Sequence, residues 1–202
     1  MATPALAADV KLGVLLGFTG PIESLTPDMA SGAELAMKEA SDSGAFMSGS
    51  KIISVRGDST CVDAAAATAT AERLITSDGV SAIMGADCSG VTTAVLQNVA
   101  LAKGVVMISP SATSPALSTI EDNGLFFRTS PSDARQGQVL AEILREKGVK
   151  SAAISYTNND YGKGLADSIQ NNFENLGGKV TITASHEDGK GDYSAEVAAL
   201  AQ

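Results

Sequence analysis

Short, nearly continuous apolar runs alternate with segments whose apolar residues recur at helical spacing, and this alternation constrains the chain more than any other feature. The runs are residues 10–16, 52–55, 80–84, 105–108, 152–156 and 180–183. A strand apolar on both sides of its pleat is covered on both faces, as in a parallel sheet flanked by helices. Between the runs, Met29, Ala33, Ala36, Met37 and Ala40 form one helical stripe, with Thr26 as the expected N-cap and Pro27 at the first helical position. Ala67, Ala71, Leu74 and Ile75 form a second stripe, starting near Asp63, and Val91, Val95, Val99 and Ala102 a third. Val139, Leu140, Ile143 and Leu144 form a fourth, ending before Gly148. Tyr161, Leu165, Ile169 and Phe173 form a fifth, stopped by Gly177-Gly178. The β-α-β-α order predicts an α/β protein with doubly wound parallel sheets and right-handed crossovers.

The rhythm breaks once. After residue 108 comes Ser109-Pro110-Ser111-Ala112-Thr113-Ser114-Pro115, too rich in Ser and Pro for a long helix. An apolar run at 125–127 and a turn-rich stretch, Arg128-Thr129-Ser130-Pro131-Ser132-Asp133, come before the alternation restarts at Ala134. The second stretch reads as a crossing between lobes. The expected division is a signal-peptide remnant or flexible N-terminus of residues 1–9, a first lobe of residues 10–129, and the N-terminal part of a second lobe, residues 130–202. Gly191-Asp192-Tyr193-Ser194 reads as a loop opening a helix with Val197, Leu200 and Ala201 as its first apolar positions. A second lobe with two strands is marginal by itself, so the chain is expected to continue past Gln202.

With 202 residues, 44% of them apolar, the chain can bury a core, and only 4% aromatics suit close helix-on-sheet packing. Net charge is −9, spread along the chain, which argues against nucleic acid or an anionic membrane as partner. No apolar run approaches the ~20 residues of a membrane span. Ala5-Leu6-Ala7 before Ala8-Asp9 has the small-x-small form of a signal-peptidase site, without a basic or apolar region ahead of it. An extracytoplasmic, periplasmic location is the expectation.

In open α/β sheets ligands bind beyond the carboxyl ends of the strands. The loops there are Gly17-Phe18-Thr19-Gly20-Pro21, Gly57-Asp58-Ser59-Thr60-Cys61, Gly85-Ala86-Asp87-Cys88-Ser89-Gly90 and residues 109–115, all rich in Ser, Thr and Gly. Ser89-Gly90 opens the third helix, where backbone N–H groups and the helix dipole favour an anion, and Ser111 and Thr113 can face the same point. Ordinary turn chemistry uses the same residue types, so both readings stand. Cys61 and Cys88 fall at the same sheet edge: a disulfide fits a secreted protein, an unpaired pair of buried thiols is the alternative, and a metal lacks a ligand set. Catalysis finds no footing. His186 is the only histidine and reads as a solvated loop residue, no nucleotide-binding glycine pattern occurs, and Asp58, Asp87, Asp122 and Asp160 sit where caps and turns also place acids. No catalytic residue, metal or cofactor is expected.

Six motifs run in order over essentially the whole chain: Gly20-Pro21, Cys88-Ser89, residues 109–115, Phe127-Arg128-Thr129, Asp160-Tyr161-Gly162-Lys163-Gly164 and Asp192-Tyr193-Ser194. On these the sequence resembles the type I periplasmic solute-binding proteins of ABC transporters, in the leucine/isoleucine/valine-binding group. The resemblance implies two lobes joined by three crossings, a Cys61–Cys88 disulfide, and a monomeric, non-enzymatic receptor delivering an amino acid or related carboxylate to a membrane permease. By position Ser89, Ser111 and Thr113 would hold the ligand's α-carboxylate and Tyr161 would cover it; Phe18, Cys88 and Ala112 complete the implied ligand set. The family's acidic partner for an ammonium group falls past Gln202. Leu25 stands where amino-acid binders of the group often carry an aromatic, which leaves aromatic acids and other carboxylates beside branched-chain amino acids as ligands. A sensory domain of a receptor or regulator with the same fold, or an enzyme on a related scaffold, are the competing readings.

Overall fold

The computed structural model describes residues 8–201, so the Ala5-Leu6-Ala7 motif lies outside the described residues. In the first sheet β1 (Val10–Leu16) pairs in parallel with β2 (Ile52–Asp58) on one side and β3 (Ala82–Gly85) on the other. β4 (Val106–Ser109) lies beside β3, and β5 (Phe126–Arg128) ends the parallel sheet in the order β2-β1-β3-β4-β5. The chain therefore leaves β1 in one direction and returns on its other side, which places a topological switch point at the carboxyl end of β1.

β1 is apolar because both its faces are covered. Leu12, Val14 and Leu16 cluster with Ala30 and Met37 of α1 (Thr26–Asp42). On the other face, Gly13 lies under Leu74 of α2 (Ala64–Thr76) and Val80. Val14, Leu15 and Leu16 are fully buried, each worth about 1.5–3 kcal/mol of apolar transfer. α2 starts as expected: the Asp63 side chain accepts the Ala65 and Ala66 amides at 2.9 and 3.0 Å.

Two local readings change. Thr26 is not the N-cap of α1; Leu25 holds that position without a side-chain bond, and the Thr26 hydroxyl donates to the Gly17 carbonyl at 3.1 Å. The helical run from α3 (Ser89–Val95) to α4 (Leu101–Lys103) passes through a π turn at Leu96–Ala100. The wider turn rotates the remainder of the run about its axis, so Leu96 and Ala100 are buried and Ala102 is exposed.

On the surface, Arg56 of β2 donates Nε and Nη2 to the Glu34 carboxylate of α1, both at 2.7 Å, and the Ser54 hydroxyl donates at 3.0 Å. The Arg56 hydrogen bonds outweigh burial and, with Ser54, hold the Glu34 carboxyl below its usual value. Because the folded value is the lower one, this contribution is complete above the unfolded pKa of about 4.3 and is lost as pH falls through the folded pKa. Both side chains stay partly exposed, so Glu34→Gln is expected to cost less than about 1 kcal/mol in urea titrations at pH 7, and less as pH falls below about 4.3.

The described residues cluster into two compact units. The first holds residues up to Ala112 with Glu121–Ser130; the second holds Thr113–Ile120 and residues from Pro131 onward. The sequence pattern places 113–120 in the first lobe, whereas Ser114 and Pro115 lie against Gly164 in the second unit. That unit is built of α5 (Asp133–Glu146), β6 (Ser151–Thr157), α6 (Asp160–Asn175), β7 (Lys179–His186) and α7 (Ser194–Leu200), with β6 and β7 parallel. α5 crosses α6 so closely at Gly137 that a Cβ there would lie 2.2 Å from the Ser168 hydroxyl oxygen. No helix among the described residues is long and apolar enough to cross a membrane.

Candidate functional site

The loops at the carboxyl edge of the first unit's sheet are bound to one another by side chains rather than left as separate turns. Because β2 and β3 both flank β1, the loops that leave them meet above its end, and Cys61 and Cys88 form a disulfide there, with Cα atoms 5.2 Å apart. Beside it, Asp87 is 2% exposed. Its Oδ2 accepts the Gly17 amide at 2.6 Å, and its Oδ1 accepts the Ser59 hydroxyl at 3.0 Å and the Cys88 amide at 2.9 Å. One carboxylate thus takes donors from the loops after β1, β2 and β3.

A second carboxylate fastens the outer part of the same edge. Asp58 accepts the Thr19 hydroxyl at 2.6 Å and the Thr60 amide at 2.8 Å. Burial acts to raise the Asp58 carboxyl, but hydrogen bonds from the Thr19 hydroxyl and from the Thr60, Thr19 and Phe18 amides outweigh it, and the group lies below its ordinary value. Phe18 is half-buried, and the Arg56 guanidinium carbon sits 5.4 Å from its ring centroid.

The loop after β4 is held through Ser109. Its hydroxyl donates to the Ala86 carbonyl and accepts the Ala112 amide at 2.9 Å. The Ser111 hydroxyl donates to the Asp87 carbonyl at 3.0 Å. Arg128 and the Ser130 hydroxyl reach the Ala112 carbonyl at 3.2 and 3.4 Å. Ser89, 2% exposed, is the first residue of α3, two positions beyond Asp87.

Phe18, Cys88, Ser89, Ser111 and Ala112 therefore share one rim of the first unit. Ala112 is buried with both its amide and its carbonyl hydrogen-bonded within the protein. Thr113 belongs to the second unit, where its carbonyl accepts the Asp133 amide at 2.9 Å. Tyr161 is the second residue of α6 and is 43% exposed; the Asn159 side chain caps that helix by accepting the Gly162 amide at 2.8 Å. The start of the α3 helical run lies on this rim, and backbone amides at a helix start favour negative charge.

Sequence reasoning misses the roles of Asp87, Ser59 and Ser109. Asp87 stands among four acids in loops, and two of its three donors lie 70 and 28 residues away, so no local pattern marks it. His186 is also corrected: it is the last residue of β7, half-buried, with its Nδ1 2.7 Å from the Ser155 hydroxyl and its ring edge-on to Tyr193.

The sequence profile of the periplasmic binding protein family matches residues 9–202. A Leu/Ile/Val-binding protein of Citrobacter freundii is 31% identical over 201 residues, covering 99% of this chain and 53% of that protein. The branched-chain amino acid transporter substrate binding protein LivJ from Streptococcus pneumoniae, solved in complex with isoleucine, superposes with a TM-score of 0.81 at 28% identity, over 96% of this chain and 54% of LivJ. A Rhodopseudomonas palustris solute binding protein in complex with benzoate gives a TM-score of 0.82 over 96% of this chain and 52% of that one; at 23% identity it shows a shared fold. The chain spans about half the length of the curated relatives it matches. A profile match from Asp9 to the last residue decides the matter: the chain belongs to the periplasmic binding protein family.

Proposed function

We propose that the protein is the extracytoplasmic solute receptor of an ABC importer and binds an amino acid or related small carboxylate without transforming it. The observation that carries this reading is the rim itself: loops after β1 to β4 are cross-linked around the start of α3, where helix amides favour a carboxylate. In this reading Ser89 and Ser111 hold the carboxylate, with Cys88 and Ala112 as the adjoining backbone and Phe18 as a wall. The resemblance also implies Thr113 and Tyr161 as ligand contacts. The isoleucine bound by LivJ and the benzoate bound by the R. palustris protein share a carboxylate and differ in their apolar part. Leu25, which is largely exposed, puts no aromatic ring beside the loop after β1, so the apolar part of the ligand is left open between these classes.

A receptor of this kind works by differential affinity. Ligand that binds one conformation more tightly shifts the population toward it, and the permease reads that conformation. The test is calorimetric titration and thermal shift with L-leucine, L-isoleucine, L-valine, L-threonine and benzoate. At least one is expected to bind saturably, and ligand at a hundred times its Kd stabilises by about 2.7 kcal/mol. If no amino acid or aromatic carboxylate produces heat or raises the melting temperature, the reading fails.

A further inference from the structure

We infer that Asp87 is the positioning residue of this rim: without touching the ligand, its carboxylate fixes the loops after β1, β2 and β3 in the arrangement that binds. The inference deepens the solute-binding reading and rests on it. Three observations carry it. The group is nine-tenths buried or more, and no lysine or arginine pairs with it among the described residues; its charge is met by the Gly17 and Cys88 amides and the Ser59 hydroxyl. Each of those donors comes from a different loop. Its own carbonyl takes the Ser111 hydroxyl, which brings the loop after β4 into the same assembly.

An ionised carboxylate is an acceptor at both oxygens, and this site needs both. An asparagine offers one acceptor oxygen and one NH2. With the oxygen toward Ser59 and Cys88, the NH2 confronts the Gly17 amide; turned the other way, it confronts the Cys88 amide. Either orientation leaves a buried N–H without an acceptor, and charge-assisted bonds are lost as well. The loop that loses its anchor carries either Phe18 or Cys88-Ser89, so the consequence falls on ligand affinity.

The experiment compares wild type, Asp87→Asn and Met37→Ala in the protein as its gene encodes it, at 15 °C, titrated with L-leucine and with benzoate. Met37→Ala removes buried volume from α1 in the same unit and none of the hydrogen bonds that Asp87 makes, so it controls for general destabilisation. Asp87→Asn is expected to weaken binding roughly tenfold or more while Met37→Ala stays within about twofold. Amide exchange at Gly17 and Cys88 is expected to accelerate in Asp87→Asn while that of Val14 to Leu16 does not. Wild-type affinity in Asp87→Asn, or an equal loss in Met37→Ala, overturns the inference. Should Asp87→Asn not fold, Ser59→Ala removes one of the three donors: binding about threefold weaker supports the role and unchanged binding overturns it. If wild type binds neither probe nor any amino acid, it is the solute-binding reading that falls, and the Gly17 and Cys88 exchange rates still decide for or against Asp87.

Discussion

Replacing Cys61 and Cys88 together by alanine is expected to lower the stability of the first unit by about 3–4 kcal/mol. The two residues are 27 apart in sequence, and the closed loop contains all of α2 and β3. Cross-linking a loop of that length removes conformational freedom from the unfolded chain, and the native state gains its stability relative to that restricted ensemble. A loss of this size lowers the melting temperature of a domain near a hundred residues by about 10 °C or more. Urea titrations of wild type with and without reductant, beside the double variant, measure it: the reduced and mutated forms are expected to coincide, both well below the oxidised form. A shift under about 1 kcal/mol would contradict the chain-entropy account. The same variant separates two roles at the rim. Asp87 still ties its own loop to the one after β2 through Ser59, and the backbone amide at position 88 is kept, so ligand affinity is expected to fall far less than stability.

Legibility in the sequence depends on where the information sits. β1 lies between two strands with both faces covered, so its apolar run ends where the strand ends, at Leu16. The apolar pattern of β2 stops at residue 55 because Arg56-Gly57-Asp58 is polar, yet those residues pair with Val14, Leu15 and Leu16. Backbone hydrogen bonds to an already formed neighbour extend a strand past its apolar side chains, and nothing in the local pattern records that. The apolar run at 125–127 is visible, but its pairing with β4 spans a connection that carries a 3-10 turn at Pro115–Ser118 and no strand pattern. The cysteine pair is legible as a juxtaposition because it depends only on strand order, which the doubly wound pattern supplies. Asp87 is not, because a buried carboxylate and a surface turn acid look alike in sequence; what distinguishes them is the set of donors brought in from 28 and 70 residues away. Thr26 misleads for a related reason, since a hydroxyl at a helix start can donate to a distant carbonyl instead of accepting from its own helix.

Phe173→Ala is expected to cost the second unit about 3–5 kcal/mol, the largest loss of any single core truncation there. Phe173 is 1% exposed and is the bulkiest fully buried side chain among the described residues. Few other large side chains share the burden: along β6 and β7 residues alternate between exposed and half-buried, the other buried apolar residues of α5 and α6 are Ala141 and Ala166, and the segment Thr113–Ile120 adds Leu117. The ring packs against Gly178, just before β7, where it leaves no room for a Cβ, so the cavity left by truncation opens at the junction of α6 with the sheet. A two-stranded sheet owes its stability to the helices packed on it, which makes this junction decisive for β6 and β7. Hydrogen exchange under mild urea gives the test. Amides of β6 and β7 are expected to lose protection in the variant at denaturant concentrations where β1 and β3 keep theirs, because the core of the first sheet is built on Val14, Leu15, Leu74 and Ile83 of the first unit, whereas Phe173 belongs to the second. Retained protection throughout β6 and β7 would mean that the second unit draws its stability from somewhere other than this ring.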